Sequence, residues 1–158
     1  MQIHAINDFA ASVPEVFAML TDRVFLRAVC LASEPIEHDV SVAGLETSTR
    51  RVMPSPSSVK RLAGPTMTVI DRIRWRAGDD PSGRSGETLV AVAGLPVELV
   101  GTVVLAGGGR GAVLTYDGEL SVRIPVLGPG LAKQAAPLLL EALRLQQRVG
   151  DEYLAGRA

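Results

Sequence analysis

Between residues 36 and 125 apolar and polar positions alternate with period two, the mark of half-buried strands, and both flanks carry apolar residues at helical spacing. Residues 3–9 read as a short first strand. Ser12-Val13-Pro14-Glu15 then spells a capping box: the Ser12 hydroxyl can accept from the Glu15 backbone N–H while the Glu15 side chain reaches back. Pro14 falls in the first turn, where its missing N–H costs little. Val16, Phe17, Met19 and Leu20 continue that helix, and Thr21-Asp22 marks a break and the N-cap of a second. The second runs to about Ala32, with Phe25, Leu26, Val29 and Cys30 on one side, and Pro35 ends it.

The alternating region divides into strands over 37–43, 46–53, 67–76, 87–93, 97–106 and 112–124. Ala43-Gly44, Gly94-Leu95-Pro96 and Gly107-Gly108-Gly109 supply turns, and residues 79–83 an exposed loop. Residues 54–63 are irregular or hold a short helical turn around 59–62. In the last strand Leu114, Tyr116, Leu120, Val122 and Ile124 share one face, with Thr115, Asp117, Glu119, Ser121 and Arg123 on the other. Gly118 lies on the apolar face, where a missing side chain lets a sheet bend or a helix approach.

After Gly128-Pro129-Gly130 a long amphipathic helix is expected over 131–154. Leu131, Ala135, Leu138, Leu139, Ala142, Leu145, Val149 and Tyr153 group on one side, opposite Lys133, Glu141, Arg144, Arg148 and Asp151. So one-sided a helix must lie on something apolar, and the curved sheet is the large candidate. Pro137 removes one hydrogen bond, which predicts a bend there unless the helix starts nearer to it. The whole is an α+β chain, expected to form a single domain over 1–158 without repeats or linkers.

Composition narrows the functional classes. With 47% hydrophobic and 21% charged residues the chain is an ordinary globular sequence, and its net charge of −1 provides no global field for nucleic acid. A lone cysteine, Cys30, cannot form an internal disulfide. Neither a secretory leader nor a bilayer-length apolar run is evident, so the expected location is the cytoplasm. Aromatics are 4%, leaving Ala, Val, Leu and Gly to do most of the packing.

The order of strand, two short helices, six strands and a long C-terminal helix resembles the helix-grip fold of the START-like (SRPBCC) superfamily of polyketide cyclases and lipid-transfer domains. The opening Ala11-Ser12-Val13-Pro14-Glu15-Val16-Phe17 followed by Leu20-Thr21-Asp22 looks like the opening common in these proteins. The stretch from Gly118 to Pro125, leading into Leu131 and Ala136-Pro137, is similar to an actinobacterial START-like family of unknown function. The resemblance implies about seven strands wrapped around the long helix, with a cavity between them. It also implies a function: binding or carriage of an apolar small molecule or lipid, or else cyclase- or hydrolase-like catalysis in the same cavity. Inward strand residues and the helix face, Leu138, Ala142 and Val149 among them, would then line it.

Three polar residues fall on the inward faces. Gln146 lies among Leu139, Ala142 and Val149, where its amide must be hydrogen-bonded, either to a ligand or to sheet backbone. Tyr116 offers a hydroxyl to the same space, or is a core tyrosine with a backbone or water partner. Asp71 alternates with Met67, Val69, Ile73 and Trp75, so in regular register it points inward with Trp75. A buried carboxylate could act as acid or base; a bulge or a pairing with arginine is the plainer alternative. The histidines His4 and His38, with Cys30, give no metal-ligand spacing, and no catalytic residue, cofactor or metal is assigned. The glycine-rich 107–111 segment joins two strands and lacks the helix N-terminus that binds phosphate. Arg72, Arg74 and Arg76, joined by Arg50 or Arg51, form a solvated outer face or a basic patch for anionic lipid heads or a protein partner. The remaining expectations are peripheral membrane contact at most, no nucleic acid, an open question of homodimerisation, and an interaction module with a filled core as the third alternative.

Overall fold

The computed structural model describes residues 1–78 and 80–156; Asp79, from the expected 79–83 loop, lies outside them. The element order is β1 (Gln2–Phe9), α1 (Val13–Leu20), α2 (Arg23–Ala32), β2 (Glu37–Ala43), β3 (Glu46–Pro54), α3 (Lys60–Ala63), β4 (Thr66–Trp75), β5 (Gly83–Val92), β6 (Val97–Gly108), β7 (Gly111–Val122) and α4 (Gly128–Ala155). The strands form one antiparallel sheet in the order β1-β7-β6-β5-β4-β3-β2, curved around α4, with α1 and α2 closing one end. This is the α+β helix-grip arrangement.

Local chemistry explains the first helices. Ser12 Oγ accepts from Glu15 N at 3.3 Å and Glu15 Oε1 accepts from Ser12 N at 3.3 Å, completing the capping box. Asp22 Oδ1 accepts from Val24 N at 2.9 Å and starts α2.

The structure shifts several boundaries, among them those of β5, β7 and α4. β5 begins at Gly83 rather than 87, because Arg84, Ser85 and Gly86 pair with Leu105, Val104 and Val103 of β6. Those residues carry no apolar alternation, so long-range pairing alone recruits them. β7 stops at Val122, and α4 begins at Gly128, one turn before the expected start. Gly128, Pro129 and Gly130 form the first turn, where proline is tolerated. The helix runs on through Pro137, which lies on its exposed side.

The buried stripe of α4 also differs from the expected one. Ala132, Val149 and Gly150 are buried, whereas Leu138 is 56% exposed. At 100° per residue the true stripe, centred near Leu139, Leu143 and Gln146, is rotated by about 60° from the expected one. Small residues decide the rotation. A Cβ on Gly150 would meet Phe9 Cε1 at 2.6 Å, so α4 lies close against β1 at a position that carries no side chain.

The interior falls into two clusters. The larger joins Phe9, Val16, Met19, Phe25, Trp75, Val103, Leu105, Leu114 and Val149. The smaller joins Ile3, Leu99, Leu120 and Ala132 beneath the first half of α4. Each fully buried Leu, Val, Ile or Phe stabilises the fold by about 1.5–3 kcal/mol relative to exposure, so these clusters hold the sheet and helix together.

Candidate functional site

Register places the polar residues of the inner face. One row across the sheet reads Val40, Thr49, Asp71, Val90, Leu99 and Leu120. The next reads Val42, Thr47, Ile73, Thr88, Gly101, Gly118 and Ile3, and the one after sets Trp75, Gly86, Val103, Tyr116 and Ala5 side by side. Direct cross-strand partners point to one face, so Asp71, Tyr116 and Trp75 all turn toward the helices, as the alternation requires.

Between this face and α4 lies a cavity of about 110 Å³. Its apolar wall includes Leu26, Val29, Cys30, Ile73, Val90, Leu99, Leu139, Ala142, Leu143 and Leu145. Its polar wall is Thr47, Thr49, Arg51, Asp71, Thr88, Tyr116 and Gln146. Residues of both core clusters contribute, so the cavity sits where the two meet.

Of the residues singled out by pattern, Asp71, Tyr116, Ala142 and Gln146 line this space. Three do not. Trp75 is 2% exposed within the larger cluster, its ring edge-on to Phe17 at 5.3 Å between centroids. Its Nε1 has no hydrogen-bond partner among the described residues. Val149 packs in the same cluster, one face removed from the cavity, and Leu138 faces solvent because the helix is rotated.

Hydrogen bonds divide the polar wall into two groups. At one end Arg51 Nη2 donates to Asp71 Oδ2 at 2.8 Å, and Thr49 Oγ1 lies 3.4 Å from the same oxygen. Arginine pairing, not a bulge, therefore accommodates the inward carboxylate. At the other end Tyr116 donates its hydroxyl to Gln146 Oε1 at 2.9 Å, and Asn7 Nδ2 donates to the same oxygen at 3.1 Å. Asn7 Nδ2 also donates to the Leu143 carbonyl at 3.2 Å. Gln146 thus bonds to two side chains rather than to sheet backbone, and Asn7, 3% exposed, is a member of the site that pattern reading overlooks. Its place in the alternation Ile3, Ala5, Asn7, Phe9 is the available signal.

Two weak acids of the site, a phenol and a thiol, are shifted toward their neutral forms. Burial pushes the Tyr116 phenol well above its ordinary value, against a smaller opposing effect of the Gln146 hydrogen bond, and the Asp71 charge adds to the rise. Burial likewise raises the Cys30 thiol, while nearby Arg51 pulls the other way. At neutral pH the phenol is a hydrogen-bonding group and the thiol is not a nucleophile. Asp71 and Tyr116 face one cavity but bond to different partners. His4 pairs with Asp117 at 2.5 Å on the exposed face, and His38 sits on the edge strand opposite Arg51. Among the described residues no group of three His, Cys, Asp or Glu could hold a metal. Outside the cavity, Arg72 and Arg74 both pair with Glu46, at 3.4 and 3.2 Å, and Arg50 pairs with Asp39 at 3.5 Å.

With this geometry in place, comparison with known proteins identifies the family. A family model described as a protein of unknown function (DUF2505) matches residues 5–154. The chain belongs to this family. None of the curated proteins matches it. Among solved structures it is similar to a protein from Thermus thermophilus, with 18% identity and a TM-score of 0.69 over 100% of this chain and 99% of that one. A Mycobacterium smegmatis protein is similar at 15% identity and TM-score 0.64, over 99% and 92% of the two chains. A STAR-related lipid transfer protein fragment from Xanthomonas axonopodis follows at 14% identity and TM-score 0.61, over 96% and 84%. These TM-scores show a shared helix-grip fold, and at identities this low function has to be argued from the site.

Proposed function

We propose that this domain binds or carries a small apolar molecule in the cavity between sheet and α4. The cavity carries the reading: mostly apolar walls, a few converging polar groups, and a position where two core clusters fail to close on each other. The Xanthomonas axonopodis protein's description as a lipid transfer protein supports it. The narrower relationship to an actinobacterial START-like family is part of this proposal and rests on the Gly118–Pro125 stretch alone. Size sharpens the reading. An engineered cavity of about 150 Å³ takes up benzene, so 110 Å³ suits a single small ring or a short branched chain. A long acyl chain enters only if α4 moves away from the sheet. Asp71, Tyr116, Ala142 and Gln146 are the proposed contacts, with Trp75 and Val149 acting as packing behind them.

The catalytic alternative, a cyclase or hydrolase, has less support, because Asp71 and Tyr116 are each committed to separate partners and the cavity lining includes no histidine. The interaction-module alternative draws on the outer arginines, of which Arg50, Arg72 and Arg74 are offset by carboxylates. No helix among the described residues is long and apolar enough to cross a membrane. The reading proposes a cytoplasmic domain with peripheral membrane contact at most, without nucleic acid, and with self-association to be settled by its mass in solution. Native mass spectrometry of the purified chain, with solvent extraction of what it carries, is the direct test. We expect a bound species of low mass, or uptake of benzene-sized probes that shifts the amide resonances of Leu139 and Leu143. An interior that neither carries nor takes up any apolar probe would end the proposal.

A further inference from the structure

The hydrogen-bond polarity of the cavity's far wall is set by a single backbone carbonyl. The carbonyl of Leu143 can only accept, so the amide group of Asn7 that lies 3.2 Å from it must be the nitrogen. That same nitrogen lies 3.1 Å from the Gln146 amide, so Gln146 must present its oxygen there. Tyr116, 2.9 Å from that oxygen, must in turn be a donor. With Oε1 taken by two donors, the half-buried Gln146 keeps two N–H groups on Nε2, neither of which is used in the bonds to Asn7 and Tyr116, and the residue lines the cavity. The charged lining residues, Arg51 and Asp71, are paired at 2.8 Å and cancel each other.

We propose that the cavity selects uncharged apolar molecules that bear a carbonyl oxygen, with Gln146 Nε2 as the donor to that oxygen. The inference rests on the reading that the cavity holds an apolar molecule, and adds the chemical class. The carbonyl satisfies the amide and the hydrocarbon body fills the space beside Leu26, Leu139 and Leu145. Anionic ligands are disfavoured, because binding one at Arg51 would set it against Asp71.

Two molecules of nearly equal shape separate the ideas: cyclopentanone, and methylenecyclopentane, in which the oxygen is replaced by CH₂. Each is titrated into the ¹⁵N-labelled chain, read at the amides of Leu139, Leu143 and Gln146. One good hydrogen bond corresponds to about tenfold in affinity, so the ketone should bind about tenfold tighter. Gln146→Glu keeps an oxygen for Asn7 and Tyr116 but turns an acceptor toward the cavity, and should abolish the preference. In the unaltered protein the ¹³C resonance of the bound carbonyl should also lie downfield of its position in an apolar solvent, a readout independent of whether the variant folds. Equal binding of the two probes, or a preference retained in Gln146→Glu, would overturn the assignment of the donor while leaving the cavity reading intact. Failure of both probes to shift those resonances would overturn the cavity reading, and this inference with it.

Discussion

Gln146 is the residue whose removal says most about how helix and sheet are joined. In Gln146→Leu the Tyr116 hydroxyl loses its acceptor in a buried setting, and Asn7 retains only the Leu143 carbonyl. The expected loss is about 2 kcal/mol, within the range for a buried donor left unpaired. Urea unfolding followed by the fluorescence of Trp75, the single tryptophan, measures it. An unchanged midpoint would mean that the hydroxyl finds another acceptor. Gln146, Asp71 and Tyr116 were legible in the sequence because each interrupts an apolar face. Thr47 and Thr88, also buried on the inner face, were not: threonine suits either face of a strand, so alternation does not single it out.

At the scale of elements, glycines in α4 separate packing from propensity. Gly150→Ala gains about 1 kcal/mol of helix propensity but forces a methyl to 2.6 Å from Phe9 and 3.1 Å from Met19. Overpacking of this kind costs about 1–3 kcal/mol, so a net loss of about 1 kcal/mol is expected. Gly130, in the first turn, has open space within 4 Å of where a Cβ would stand, and Gly130→Ala should stabilise by about 0.5–1 kcal/mol. Thermal melting of the two variants side by side checks the opposite signs. The same contrast explains why pattern locates the helix along the chain but misjudges its rotation. Leucines dominate an apolar stripe read from sequence, whereas Ala132 and Gly150 add little to it and yet are buried.

Across the whole molecule, the two buried acids make stability depend on alkaline pH. Folding raises Cys30 above its ordinary 9.0 and Tyr116 above its ordinary 10.0, in each case chiefly through burial. The unfolded chain therefore releases these protons first as pH rises. The stability they contribute is complete below about pH 9 and declines as pH climbs toward the raised folded values. Urea midpoints at about pH 7.5 and about pH 10.5 should differ, with the folded state weaker at the higher pH, and Tyr116→Phe should reduce the difference. A midpoint that does not fall on the alkaline side would contradict the burial of these groups.

Sequence by itself determined the element order, the caps of α1 and α2, the face on which Asp71 and Tyr116 stand, and the amphipathic long helix. These follow from periods of two and 3.6 and from capping chemistry, all of which act between near neighbours. Only the tertiary structure decided the extension of β5 to Gly83, the rotation of α4, and the partners of Gln146. Each depends on groups far apart in the chain: Arg84 against Leu105, Gly150 against Phe9, and Gln146 against Asn7. The cavity belongs with them, because an unfilled volume is what remains after every side chain has been placed, and no local pattern records it.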